Sequence, residues 1–283
     1  MHYGVIMDDW GEHWRRAMEE WSGGYSMRTL DDAEERKFWA GFMKDRKGWR
    51  QDEYAGPIAE RMKEIIEPLH PDRILEIGPG WGNYTFMLAG LCKEMRCTDI
   101  SEDVLNYIRE TGRSMGYEIR MEACKWEEYE GVRADVIVAF NCFYRMREIE
   151  KCLEKINEYA DRLCVIGMTS GPDQPYFKEM EHVMGAEIKY HRLDYIYLYN
   201  ILYRMGIDCN VAIVPVHRRD MFASLEEAVE QECRRIRSQS YDRHQAKKIL
   251  EKYLKQEPDG SFSYDHTFYS AILYWEPKKL IKY

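Results

Sequence analysis

Three alternating glycines, Gly78, Gly80 and Gly82, follow directly on the apolar run Ile74-Leu75-Glu76-Ile77 and lead into a helical pattern from Tyr84. Glycine lets a backbone turn tightly and lie against a bound molecule with no Cβ in the way, and a helix start offers backbone NH groups that lack partners. The chemistry that suits such a loop is the cradling of a nucleotide-sized ligand. A glycine-rich turn taken alone is equally well explained as an ordinary strand-to-helix connection. Asp99 adds weight to the first reading. It lies in the next strand-like run, Arg96-Cys97-Thr98-Asp99-Ile100, where a carboxylate accepts both hydroxyl protons of a ribose. Glu76 places a further acid near the end of the first run. The spacing is GxGxG, and Asn83 stands where the GxGxxG pattern of dinucleotide enzymes has its third glycine, which argues against a dinucleotide.

These residues need a scaffold, and the sequence from Arg73 onward predicts one. Strand-like runs at 74–77, 96–100, 118–121, 135–140 and 163–167 alternate with helical stretches, the pattern of a parallel sheet covered on both faces. Each connection is long enough for a crossover segment. Beyond Gly171 the pattern loosens through residue 192; Leu193 to Met205 then reads as a helix ended by Gly206, and 209–216 as a strand. Ser224 and Glu227 form a capping box for an amphipathic helix bearing Leu225, Val229, Cys233 and Ile236. A second helical run covers 246–254, and 268–275 reads as a last strand, the seventh. Residues 1–71 hold Trp10, Trp14, Trp21, Trp39 and Trp49, and the spacing of Ile58, Met62, Ile65, Ile66 and Leu69 is helical. The expected organisation is a helical N-terminal cap at 1–71 and an α/β domain at 72–283 with a helical insertion at about 218–258.

Leu75-Glu76-Ile77-Gly78-Pro79-Gly80-Trp81-Gly82 resembles the first motif of the class I, Rossmann-like S-adenosylmethionine-dependent methyltransferases, and Asp99 resembles their second. The resemblance covers residues 70 to 170. It implies a doubly wound, seven-stranded Rossmann-like methyltransferase sheet with an antiparallel last strand, S-adenosylmethionine as cofactor, and transfer of its methyl group. It also implies that the glycine loop lies against the methionine portion, that Asp99 holds the ribose, and that Ala123-Cys124-Lys125-Trp126 meets adenine. Many relatives carry Asp where Cys124 stands, so adenine's amino group here lacks that partner or finds one at Glu127 or Glu128. Trp126 is either an adenine contact or a core residue. The expected cofactor residues are Glu76, Gly78, Pro79, Gly80, Gly82, Asn83, Asp99, Ile100, Cys124, Lys125, Trp126 and Asn141.

The fourth run leads into Asn141-Cys142-Phe143-Tyr144, beside the crevice at the carboxyl ends of the strands, where a methyl acceptor is expected. Asn141 and Tyr144 are similar in spacing to the Asn-x-Pro-Tyr element of adenine N6 methyltransferases, but Phe143 replaces the proline. Methyl transfer from a sulfonium is an in-line displacement in which positioning supplies about 7 to 11 kcal/mol, and a base is needed only if the acceptor must lose a proton. Candidates for acceptor contacts are Tyr144, Tyr195 and His191, with Asp194 to orient the histidine. Tyr195, Tyr199 and Tyr203 form a helical stripe that either lines a pocket or packs on the sheet. The N-terminal helices and residues 171–192 are candidate lids, with Tyr25 and Tyr54 as lid contacts. His182 and His191 belong to no established ligand pattern, so no metal is expected.

The bulk composition narrows the partners. A formal charge of −9 and a pI near 5.5 repel phosphate polymers, which points to a small-molecule acceptor and away from nucleic acid. The eight cysteines show no CxxC pairing and suit reduced, buried thiols. Acids and tryptophans at residues 1–21 do not resemble a signal peptide, and no apolar run is long enough for a membrane span. A cytoplasmic monomer or homodimer is expected. The rival functions are methylation of nucleic acid or protein, aminopropyl or aminocarboxypropyl transfer on the same cofactor fold, and non-catalytic binding of the cofactor.

Overall fold

The computed structural model describes residues 9–20, 24–44, 46, 48–170, 174–189, 193–238 and 240–280. Its centre is a sheet of short buried strands. These are β1 (Arg73–Ile77), β2 (Glu94–Asp99), β3 (Ile119–Ala123), β4 (Ala134–Phe140) and β5 (Ala160–Ser170). β1 and β4 are nearly continuous apolar runs, with Ile74, Leu75, Val136, Ile137, Val138 and Ala139 at most 1% exposed. Such strands are stable only with both faces covered. All four pairings among these strands are parallel, with Ile77 opposite Thr98 on one side and Ala139 on the other.

The strand order is β3-β2-β1-β4-β5-β8-β6, completed by β6 (Asn210–Phe222) and β8 (Phe262–Trp275). These seven are the expected seven. An eighth, the two-residue β7 (Lys255–Gln256), pairs antiparallel with β8. The order reverses between β1 and β4, and at such a switch point the loops diverge and leave a crevice at the carboxyl ends.

Among the described residues four α-helices precede the sheet: α1 (Trp10–Ala17), α2 (Met27–Leu30), α3 (Asp32–Lys44) and α4 (Ala55–Ile66). Asp9 caps α1, and Trp14 inserts into the core with its indole N–H donating to the Met146 carbonyl at 2.8 Å. Ile58, Met62 and Ile66 form the buried face of α4, as their spacing predicts, with Ile65 and Leu69 at its half-buried margin. The sheet connections carry α5 (Thr85–Ala89), α6 (Glu102–Ser114, capped by Ser101) and α7 (Ile149–Tyr159).

Two compact units emerge. The larger comprises Met1–Thr169, Leu193–Val214 and Ser270–Tyr283. Its core joins Leu75, Ile137, Phe143, Leu153 and Trp275 with Leu198, Ile201 and Leu202 of α9 (Tyr195–Arg204). The smaller unit comprises Ser170–Arg192 and Pro215–Tyr269. It contains α8 (Pro175–Met184), α10 (Leu225–Glu232) and α11 (Arg243–Tyr253), whose core includes Phe177, Met180, Ala228, Val229, Ile249 and Leu250. The helix α8 lies where the sequence pattern loosens. The Ser224 hydroxyl accepts from the Glu227 N–H at 3.1 Å, and the Glu227 carboxylate accepts from the Ala223 N–H, which realises the predicted capping box one residue early on the return side.

Candidate active site

A cavity of about 370 Å³ opens at the carboxyl ends of β1, β2 and β4, within the larger unit. The glycine loop forms part of its wall, and the three glycines do different work. All have positive φ (62°, 54° and 87° for Gly78, Gly80 and Gly82), a region that strains other residues. A Cβ on Gly78 would sit 2.6 Å from the Cβ of Cys142. One on Gly80 would meet only Trp39, at an ordinary contact of 3.8 Å. One on Gly82 would strike Phe86 and Ile108 at 2.7 and 2.8 Å, and Gly82 does not line the cavity. Gly82→Ala is therefore expected to lower stability by roughly 2 to 4 kcal/mol through left-handed strain and overpacking. Gly80→Ala is expected to cost only about 1 to 2 kcal/mol in stability but to weaken S-adenosylhomocysteine binding more than Gly82→Ala does. Urea midpoints and calorimetric titration of both variants check this pair of expectations.

A segment the sequence reading passed over clamps the loop. The Trp49 indole donates to the Gly82 carbonyl at 3.2 Å, and the Gln51 amide donates to the Asn83 carbonyl at 2.7 Å. Asp52 accepts from the Trp81 indole at 2.9 Å and from the Asn83 amide at 3.0 Å, while its own N–H donates to the Asn83 Oδ1. Asn83 thus lines the cavity with its side chain tied to this segment.

Two carboxyl groups stand at the strand ends. Glu76 is 2% exposed; it accepts from the Thr85 hydroxyl at 2.6 Å, and the Cys97 thiol lies at 3.8 Å. Burial pushes its carboxyl up to about 7. Asp99 accepts from the Ser101 N–H through Oδ1 at 2.8 Å and lines the cavity half-buried. Burial, with the nearby charge of Glu35 adding to it, pushes Asp99 up to about 7 as well. Pro79 and Ile100 complete this side of the cavity.

At the end of β3, Cys124 lines the cavity beside the Thr98 hydroxyl at 3.3 Å, and Lys125 pairs with Asp32 of α3 at 2.5 Å. Trp126 also borders the cavity but is 2% exposed, donates its indole N–H to the Cys152 carbonyl at 3.0 Å, and stacks on Tyr129. Its N–H is therefore committed to the core.

At the end of β4, Asn141 adopts a left-handed φ of 54°. Its Oδ1 accepts from the Thr169 N–H at 2.9 Å and the Tyr144 hydroxyl at 3.3 Å, and its amide donates to the Thr169 hydroxyl at 3.0 Å. This network fixes Tyr144 at the cavity edge. The remaining wall comes from α2 and α3, which the sequence marked only as a helical cap. Glu35, 8% exposed, accepts two hydrogen bonds from Arg28 at 2.6 and 3.0 Å and one from the Trp39 indole at 2.9 Å. Arg145 donates to the Ser26 and Thr29 hydroxyls at 3.0 and 3.1 Å.

The cavity thus brings together Glu76, Gly78, Pro79, Gly80, Asn83, Asp99, Ile100, Cys124, Lys125, Trp126, Asn141 and Tyr144, together with Tyr54. It does not gather Tyr195. That residue begins α9 and packs, half-buried, on the main core, while Tyr199 and Tyr203 are 36% and 58% exposed. Leu198, Ile201 and Leu202 take the buried face of α9, so the two later tyrosines of the stripe neither line the pocket nor pack in the core. Asp194 caps this helix by accepting from the Ile196 N–H at 2.8 Å. Tyr25 packs on the core, and His191 lies outside the described residues.

Residues 75–162, from β1 into β5, match the methyltransferase domain family. These residues form a methyltransferase domain. The fold of the chain is similar to a Bacillus halodurans C-125 protein described as a methyltransferase, at 13% identity and a TM-score of 0.53, over 79% of this chain and 100% of that one. It is also similar to YcgJ of Bacillus subtilis (10% identity, TM-score 0.51, 78% and 98% of the two chains). Magnesium protoporphyrin IX methyltransferase from Synechocystis PCC 6803, solved with S-adenosylhomocysteine, shares 13% identity at a TM-score of 0.50 over 88% of this chain and 100% of that one. No curated protein sequence matches the methyltransferase. Its cavity fits the cofactor on the chain's own geometry: at Gly80, which lines the cavity, an added Cβ would meet no chain atom closer than 3.8 Å and would crowd only a ligand, and Asp99 offers a carboxylate to the same space. When bound, S-adenosylmethionine supplies a methyl group on a sulfonium that is its own leaving group.

Proposed function

We propose that the methyltransferase modifies a small molecule, with the cofactor held by the residues gathered in the cavity. In this reading Gly78, Pro79 and Gly80 lie against the methionine portion, Asp99 with Ile100 takes the ribose, and Cys124 and Lys125 border the adenine. Asn141 and Tyr144 form the acceptor end. The observation that carries the proposal is the wall made by α2 and α3. It is tied to the strand ends by Lys125 with Asp32 and by Arg145 with Ser26 and Thr29, and it bounds a cavity on the scale of small-molecule pockets. The charge of −9 adds to this, since a polyanionic acceptor would be repelled. Residues 1–71 act as a cap over the cofactor, with Tyr54 as a contact. The eight unpaired cysteines suit the reducing cytoplasm.

The test is product identification with methyl-labelled cofactor against separated metabolite, RNA and protein fractions of a cell extract. Label is expected in the metabolite fraction, with S-adenosylhomocysteine as the co-product. Label confined to RNA or protein would overturn the proposal, and methylthioadenosine as co-product would move the enzyme to aminopropyl or aminocarboxypropyl transfer.

A further inference from the structure

We propose that the methyl acceptor carries a carboxylate and that Arg145 binds it at the cavity wall. The inference rests on the small-molecule reading above. Arg145 closes the short 3-10 turn Phe143–Arg145 that follows β4, next to Tyr144 and four residues past Asn141, and it lines the cavity half-buried. Arg28 of α2 lines the same wall. Two guanidiniums thus face a space that holds a cation, the sulfonium, whenever the cofactor is bound, and a cavity so arranged calls for an anion near them.

The protein neutralises one of these two charges and leaves the other short. Glu35 takes both hydrogen bonds from Arg28, at 2.6 and 3.0 Å, and a third from the Trp39 indole at 2.9 Å. The Arg145 Nε is left 3.7 Å from the same carboxylate, beyond hydrogen-bond distance. Its Nη1 donates to the Ser26 and Thr29 hydroxyls at 3.0 and 3.1 Å, which orients the guanidinium without neutralising it. Its Nη2 donates to no described residue. Glu20, exposed, attracts Arg145 more weakly than Glu35 does, and burial together with the Arg28 charge lowers the Arg145 pKa from its ordinary value. A guanidinium keeps its charge even so.

Charge and geometry select the anion. One uncompensated guanidinium matches one negative charge, and the planar N–H fork fits a carboxylate. A phosphate dianion would bring a second charge up to Glu35, whose own charge already raises the Asp99 pKa across the same cavity. An ammonium would meet two like charges. The cofactor also has a carboxylate, in its methionine portion, but that group sits beside the cofactor's own ammonium, which Arg28 and Arg145 would repel. The methionine portion is assigned to the loop after β1, whereas Arg145 shares the end of β4 with Asn141 and Tyr144, where the acceptor is placed.

The experiment labels the metabolite fraction of a cell extract with methyl-labelled cofactor and identifies the labelled product by mass spectrometry. An acceptor bearing a carboxylate is expected. That acceptor and its primary amide are then titrated calorimetrically into the protein with S-adenosylhomocysteine present, and the wild type is expected to bind the carboxylate about tenfold or more tightly than the amide. Arg145→Gln is expected to bind the two alike and to bind S-adenosylhomocysteine as the wild type does, while Arg145→Lys, which keeps the charge, retains part of the preference. The wild-type comparison needs no variant, so it decides even if Arg145→Gln does not fold. An acceptor without a carboxylate, equal wild-type affinity for acid and amide, or a loss of S-adenosylhomocysteine affinity in Arg145→Gln as large as the loss for the acceptor would overturn the inference and leave the small-molecule reading intact. The last of these would give the guanidinium to the cofactor's carboxylate. Label confined to RNA or protein would overturn both.

Discussion

Asp99→Ala is expected to weaken S-adenosylhomocysteine binding by two to four orders of magnitude, roughly, because two ribose hydroxyls lose a carboxylate acceptor. Each hydrogen bond to a charged group contributes about 1.5 to 3 kcal/mol, so the pair contributes about 3 to 6 kcal/mol. The variant should fold at least as well as the wild type, since Asp99 is a carboxyl whose burial disfavours its charge, and among the described residues its side chain takes one hydrogen bond, from the Ser101 N–H at 2.8 Å. Asp99→Asn keeps an acceptor and loses the charge, and an intermediate affinity is expected. The pH dependence has a definite sign. With the carboxyl pushed up to about 7 in the free protein, ribose donors select the ionised form, so wild-type affinity should rise toward pH 7 and level above it. Because a single proton is released on binding, the slope below pH 7 is limited to tenfold per pH unit. Equal dissociation constants for wild type and Asp99→Ala would remove Asp99 from the site.

What the sequence made legible is what lies close together along the chain. The loop of Gly78, Gly80 and Gly82 needs only a turn into a helix, and Asp99 needs only the end of the neighbouring strand, so both follow from local pattern. The clamp from Trp49, Gln51 and Asp52 is different, because its partners lie about thirty residues away and neither an amide nor an acid in a loop has a periodicity. Glu35 was equally hidden. It lies in the charged first half of its helix, and its partner Arg28 precedes that helix. The stretch beyond Gly171 where the pattern loosens holds α8, with Pro175 in its first turn, where a missing N–H costs nothing. The strand expected at 209–216 is longer, because β6 continues through His217-Arg218-Arg219-Asp220 to Phe222. Trp126 had two readings, and its indole bond to the Cys152 carbonyl favours the core.

Glu76 carries the second large expectation, a fall in stability of the cofactor-free protein as pH rises from about 4.5 to about 7. The group is 2% exposed, and its carboxyl moves from the ordinary 4.5 up to about 7 because burial penalises the charge more than the Thr85 hydroxyl and the Cys97 thiol compensate. The native state therefore holds a proton in this window that the unfolded chain has released, and stability must decline with pH there. The contribution is fully present below about 4.5 and is lost as pH passes about 7. A shift of this size corresponds to about 3 kcal/mol, at 1.36 kcal/mol per unit. Surface acids such as Glu94, held low mainly by Arg73, work in the opposite sense, so the wild-type profile alone mixes both effects. Glu76→Gln isolates the group. The amide is neutral at every pH and fits the same space, so the stability of the variant relative to wild type should improve by about 3 kcal/mol between pH 4.5 and pH 8. Urea midpoints at the two pH values read this difference directly. A constant difference between the two proteins across the range would mean that Glu76 keeps an ordinary carboxyl and that the floor of the cavity is wetter than its burial indicates.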